Sequence, residues 1–262
     1  MAAAGGGSAG VLVAVGVVLA VRLGWSFALA LDAFVVTNAL MGVAFGGCGA
    51  IIAWHRPRNA VGWLLLAGGL CHAVTAAGVP AASALAGAGA PEVLTRVVLT
   101  VAGWTWPWSI GLTLPLALTL FPDGRLPAPR WRLPVVAVTA TAPLFVVSIG
   151  ADPGPVSPGE PVAYLSLPGY AALTPLWTVA EVRNLAAFGL AIAALLVRYR
   201  RGDERQRRQL LWLVLATIVA LALIVPWVFV AGTPVVVLAA IPLIPLAVTV
   251  AIVRERLLDI RL

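Results

Sequence analysis

His72 and Cys71 sit side by side in an apolar stretch, and Cys48 lies in the stretch before it. Imidazole and thiolate are the donors that hold zinc or copper. Imidazole is also the side chain whose charge changes nearest neutral pH. Spacing decides between these chemistries. Neighbouring residues on a helix point to different faces, so Cys71 and His72 do not act as a pair. Counted from the charged interruption at 55–59, His72 lies roughly 20 Å along its helix and Cys48 about 9 Å along its own, at 1.5 Å per residue. The spacing therefore predicts no metal site. Two cysteines make no disulfide framework either, and both read as small packing residues. His72 keeps two readings: a neutral imidazole bonded to an adjacent helix, or a proton sensor.

A second candidate is WTWPWS, Trp104 to Ser109. Trp104 and Trp108 are four residues apart and share a helix face. Pro107 between them removes a backbone donor and favours a kink. The cluster is either packing with interfacial anchoring, or a small-molecule sensing pocket beside the kink with His72, Trp104 and Trp108 as its walls. Glu181 and Arg183 lie about one turn into a later apolar stretch, close enough to its end to snorkel to an interface. Charges on several facing helices, or helices broken at midplane, would mark a transporter. Neither is evident in the sequence, although sugar-like or lipid cargo would not demand charges. There is no HExxH and no GxxxxGK[ST], and the acids are scattered singly. No enzyme activity and no cofactor are expected.

These residues are set in a chain of 262, of which 61% are hydrophobic and 10% charged. A soluble domain of this length carries roughly a quarter charged residues. Eight stretches are long enough for about 20 apolar residues to cross a bilayer core: 3–21, 34–54, 60–83, 97–120, 133–150, 176–197, 209–230 and 234–253. Pro80 and a run of Ala and Gly weaken the third. The expected fold is an all-α integral membrane protein of about eight transmembrane helices, multi-pass in the cell membrane. Residues 1–253 form the transmembrane domain and 254–262 a cytoplasmic output-helix stub. MAAAGGGSAG has no basic residue before its apolar run, which argues against a cleaved signal peptide; Ala28-Leu29-Ala30 is the one place that could pass for a cleavage site. In the second stretch Gly42 and Gly46 are spaced for close helix approach.

All 17 basic residues are arginine. They lie between apolar runs rather than on a soluble face, so nucleic acid is not an expected partner; membrane lipids are. The short turn His55-Arg56-Pro57-Arg58-Asn59 reverses the chain between two spans, because Pro57 stops the helix and backbone can reverse only outside hydrocarbon. FPDGRLPAPRWR, Phe121 to Arg132, carries the turn signal Pro122-Asp123-Gly124, with Arg125, Arg130 and Arg132 around it. VRYRRGDERQRRQLLWL, Val197 to Leu213, carries Arg198, Arg200 and Arg201. There Gly202 breaks a helix and Asp203 caps the next, and i, i+4 spacing allows Asp203–Arg207 and Glu204–Arg208 pairs. Counted per loop, fourteen arginines fall on one side of the membrane and three on the other. Positive charge is retained in the cytoplasm, which predicts that both termini are cytoplasmic. The proline-rich segment 151–175 lies outside, as a stiff connector or a ligand-contacting cap, with Tyr164, Tyr170 and Trp177 at the outer interface.

The tail AIVRERLLDIRL, Ala251 to Leu262, has no breaker after Pro245, so the last helix is expected to run on as an output helix carrying Arg254, Arg256 and Asp259. HRPRNAVGWLLLAGG, LFPDGRLPAPRWR, VRYRRGDERQRRQLLWL and this tail, in that order, resemble the N-terminal multi-pass membrane region of bacterial two-component sensor histidine kinases. The resemblance covers about residues 35–262. It implies a sensor or input module that passes a signal through its last helix to a kinase core, in the same polypeptide or in trans, with a kinase core or self-association as partners. These residues contain neither the phospho-accepting helix nor the ATP-binding domain of that family, so its catalytic residues map to no position. Glu255, Leu258 and Arg261 also depart from the family's usual Arg-Tyr-Arg-Leu-aromatic-Asp-Ile-Asp ending. A truncated kinase and a stand-alone module both fit. Without the resemblance, a small transporter or lipid-handling membrane protein is the competing reading, and a non-enzymatic partner for other membrane chains is a third.

Overall fold

A computed structural model describes residues 1–153, 165–230 and 235–253. Every regular element among them is helical. The α-helices are α1 (Ala2–Arg22), α2 (Phe27–Asp32), α3 (Val35–His55), α4 (Ala60–Gly87), α5 (Glu92–Thr105), α6 (Leu114–Leu120), α7 (Arg132–Gly150), α8 (Thr174–Arg201), α9 (Glu204–Val230) and α10 (Leu243–Val253). Among the described residues, six helical stretches are long and apolar enough to cross a membrane: Ala2–Arg22, Val35–His55, Ala60–Gly87, Glu92–Leu120, Pro129–Gly150 and Tyr170–Arg201. Large apolar side chains such as Val11, Val21, Leu133, Val182 and Leu185 are exposed along them. Water disfavours such a surface and hydrocarbon accepts it.

The chain runs back and forth, so its turns collect at two ends. The arginine-rich turns share one end, called here the arginine end. The core lies nearer to it, with Phe45 and Ile52 of α3, Val61 and Leu65 of α4, Leu114 of α6, Leu210 of α9 and Val248 of α10 packed together. α1 packs on α3 and α4, and α7 and α6 pack on α8. The α3–α4 pair is the tightest. A Cβ on Gly69 would lie 2.1 Å from the backbone nitrogen of Gly46. The Gly42–Gly46 spacing therefore does pack one helix against the other, and only glycine fits at this crossing.

Proline acts differently at different places. α4 continues through Pro80 for 28 residues. One missing bond, to the Ala76 carbonyl, is a small loss in a long helix flanked by neighbours. The stretch 97–120 stays continuous but is distorted: α5 ends at Thr105, a π-helical turn covers Ser109–Thr113, and α6 begins at Leu114, with Trp106, Trp108 and Thr113 in right-handed helical conformation. Pro107, where a kink is expected, is followed by a wider turn that spacing alone did not indicate. The last stretch, expected as one helix over 234–253, is a 3-10 turn at Val235–Ala240, a short turn at 241–242, then α10. Pro242 and Pro245 have no N–H to give to Leu238 and Ile241. Those carbonyls instead accept from Ile241 and Ile244, three residues on, at 3.1 and 3.0 Å, which is 3-10 closure. The short α2 was also not anticipated; Ser26 caps it by accepting from the Leu29 N–H at 3.1 Å.

Candidate functional site

Cavities lie at opposite ends of the bundle; the one at the arginine end is lined by residues that the sequence singles out, whereas His72, Trp104 and Trp108 do not line the one at the far end. The one at the arginine end has a volume of about 780 Å³. Three turns build it: His55 to Asn59, Pro122 to Arg125, and Asp203 with the start of α9; Ile252 of α10 closes one side.

Each turn is fixed by a bond that its sequence makes possible. Asn59 caps α4, its Oδ1 accepting from the Val61 N–H at 3.0 Å. Its Nδ2 donates to the Pro122 carbonyl of the second turn at 2.8 Å. One amide side chain thus starts a helix and joins two turns that are 63 residues apart. Gly124 lies against this joint at φ +76, where a Cβ would stand 2.5 Å from Asn59 Oδ1. Both the left-handed backbone and the absent side chain are required there.

Arg198 of α8 holds the second turn from the other side. It is buried, and its Nη1 donates to Asp123 Oδ1 at 2.9 Å. Its Nη2 donates to the Arg125 carbonyl and, at 3.4 Å, to that of Thr119. The sequence treats Arg198 as one more topology-setting charge at the headgroups; the structure makes it the internal clamp of the Pro122–Arg125 turn. In the third turn Asp203 caps α9 as expected, accepting from the Gln206 N–H at 2.8 Å. Glu204 pairs with Arg208 at 3.4 Å. The Asp203–Arg207 pair does not form: Arg207 donates to the Tyr199 carbonyl at 3.1 Å and lies over the Tyr199 ring. A carboxylate engaged by a helix N-terminus leaves its arginine neighbour to find another acceptor. Arg130 opens the exposed turn before α7, Arg132 begins α7, and Arg200 and Arg201 end α8; all four are exposed and none lines the cavity. Arg254, Arg256 and Asp259 lie outside the described residues, as does Tyr164.

The far-end cavity is about 390 Å³. Its walls include Phe34, Asn38, Thr75, Trp106, Gly150 and Leu238. Phe34 has φ 57, a left-handed conformation that costs a non-glycine residue about 1–2 kcal/mol. Its carbonyl collects the Asn38 N–H at 3.0 Å, Asn38 Nδ2 at 2.9 Å and Thr37 Oγ1 at 3.1 Å. With Nδ2 thus committed, Asn38 presents Oδ1 to His72 Nδ1 at 2.7 Å. This network assigns the proton to Nδ1, leaving Nε2 as a lone-pair acceptor. Nε2 is buried and has no hydrogen-bond partner among the described residues. His72 therefore stands behind the cavity wall, joined to it by Asn38.

The tryptophan of this cavity is Trp106, not Trp104 or Trp108. Trp104 packs against Gly150, where a Cβ would meet its ring at 2.7 Å. Trp108 precedes the π turn. Tyr170 and Trp177 stack at 4.8 Å, and Trp177 Nε1 donates to the Tyr170 carbonyl at 2.8 Å. Tyr170 in turn donates to the Ser148 carbonyl. This ties the start of α8 to the end of α7.

Arg183 differs most from its expectation. It does not snorkel. Its Nη1 donates to the Gly111 carbonyl at 2.7 Å, its Nη2 to the Val138 carbonyl, and its Nε to Thr141 Oγ1 at 3.0 Å. Gly111 is four residues before Pro115, which has no N–H to offer it. The proline thus leaves a carbonyl free, and an arginine of α8 occupies it. The signal was present as a proline and an arginine, but nothing local connects Arg183 with Gly111, 72 residues away.

A Gly-x-Ser-x-Gly string at Gly6–Gly10 has no nucleophile-elbow context. It lies inside α1, and Ser8 Oγ donates to the Ala4 carbonyl at 2.9 Å. Cys48 and Cys71 are free thiols, and no group of three metal-ligating side chains comes together among the described residues. No family model, curated protein or solved structure matches the chain.

Proposed function

We propose that this chain is a multi-pass input module of the cell membrane, with about eight spans and its arginine end in the cytoplasm, that relays a stimulus through its last helical segment to a signalling partner. One observation carries the reading: the last segment touches both cavities. Leu238, in the 3-10 turn before α10, lines the far-end cavity, and Ile252, near the end of α10, lines the arginine-end cavity. Gln209 of α9 donates to the Ala251 carbonyl at 3.1 Å, which secures α10 beside the third turn. A ligand at the far end that displaced Leu238 would act on the same segment that leads to residue 254. The resemblance to membrane regions of sensor histidine kinases points the same way, with a kinase core, in the same polypeptide or in trans, as the partner.

The test is to fuse a histidine kinase core after Leu262 and insert one to four residues at the junction. Autophosphorylation should rise and fall with a period near the 3.6 residues of a helical turn. A flat response across the insertions overturns the reading. A membrane topology map placing the 198–208 turn outside the cell would overturn the orientation.

The π-helical turn at Ser109–Thr113 favours a second reading, a small transporter or lipid-handling protein, because such irregularities in a helix are frequent at functional sites. Solute or lipid flux in proteoliposomes containing only this chain would establish it.

A further inference from the structure

We propose that the arginine-end cavity is a binding site for a phosphate-bearing anion, either the headgroup of an acidic membrane lipid or a soluble phosphate. Arg56, Arg58 and Arg125 line it, and their guanidinium groups make no hydrogen bond or ion pair with any described residue. The two acids on the same wall are already engaged. Asp123 is paired with Arg198 at 2.9 Å, and Asp203 accepts from the N-terminus of α9 at 2.8 Å. With Asp123 matched by Arg198, three arginines face one remaining carboxylate, Asp203, and the lining stays net positive.

The arginines are also held at fixed spacing. Arg56 and Arg58 belong to the turn that ends in Asn59, and Arg125 to the turn that Asn59 bonds through Pro122. Arg198 clamps that second turn through the carbonyl of Arg125 itself. Ordering three donors is a cost that binding usually has to meet; here the backbone from which they project is ordered beforehand. Guanidinium forks match phosphate oxygens geometrically and keep their charge at every physiological pH. A volume of about 780 Å³ exceeds what a bare ion needs and falls within the range of sites for small organic ligands. Phosphate chemistry follows from the donors, and headgroup-sized ligands follow from the space. The site stands on this cavity alone and does not depend on the signalling reading.

Native mass spectrometry of the full chain in detergent, with phosphatidylglycerol or phosphatidylcholine added, tests the proposal. The wild type should retain phosphatidylglycerol under activation that strips phosphatidylcholine. The triple variant R56Q/R58Q/R125Q should bind it about tenfold or more weakly, the usual effect of losing charge-assisted bonds. The control R130Q/R132Q removes charge nearby but outside the cavity and should bind as the wild type does. Millimolar inorganic phosphate separates the sources: competition with the lipid assigns a soluble phosphate as a ligand, and indifference assigns the lipid headgroup. Equal retention of the two lipids by the wild type, without competition by phosphate, overturns the proposal even if the triple variant does not fold. So does a control that weakens binding as much as the triple variant.

Discussion

At the arginine end, two turns are joined and clamped by side chains that reach backbone groups distant in the chain; at the far end, helices are held by polar side chains that reach across apolar interfaces. Asn59 and Arg198 do the first job, with Gly124 leaving room for the joint, and Asn38, His72 and Arg183 do the second. The ends therefore differ in what a lost bond exposes. Near the arginine end, a freed carbonyl lies beside a large polar cavity. In the interior of the far half, a freed group faces hydrocarbon-like side chains. Yet the measured worth of polar bonds inside membranes is modest, because the unfolded chain in a membrane also finds partners.

Substitutions can break or sharpen this contrast. Arg198→Met should have the largest effect, about 3 kcal/mol, because it leaves Asp123 and two carbonyls without their donor; the thermal midpoint of the purified protein reads it. Gly124→Ala should follow at about 2 kcal/mol, through the positive φ and the clash with Asn59. Asn59→Ala in the same background should then cost less than it does alone, as expected for coupled neighbours. Arg183→Met should cost only about 1 kcal/mol if membrane bonds are as weak as general experience indicates. A larger loss than that of Arg198→Met would reverse the contrast. The smallest effect is the coupling of Asn38→Leu with His72→Leu, about 0.6 kcal/mol: each single change strands one buried partner, while the pair strands none.

The arginine end was largely legible in the sequence. Proline, glycine, asparagine and aspartate dictate turns over four or five residues, and Pro57, Asn59, Gly124, Gly202 and Asp203 act where local chemistry says they should. What spacing did not reveal is that the turns interlock, since Asn59 and Pro122 are far apart in the chain. The far end was less legible for the same reason on a larger scale. His72 stood out as the one titratable side chain deep in an apolar run, but its partner Asn38 is 34 residues away. Arg183 read as a charge at a helix end, because the carbonyl it serves is exposed only by Pro115 in another helix. The last stretch read as one rod because hydropathy does not separate a 3-10 turn from an α-helix; Pro242 and Pro245 carried that information. Tryptophans four apart predicted a shared face, while the cavity takes Trp106 between them, where α5 has already ended.

The guanidinium of Arg183 is a cross-brace. It ties the π turn of the fourth rod, α7 and α8 through three simultaneous attachments. The far-end cavity takes Gly150 from α7 and Leu238 from outside these elements. While the brace holds, widening or narrowing of the cavity falls more readily on its Leu238 and α3–α4 sides.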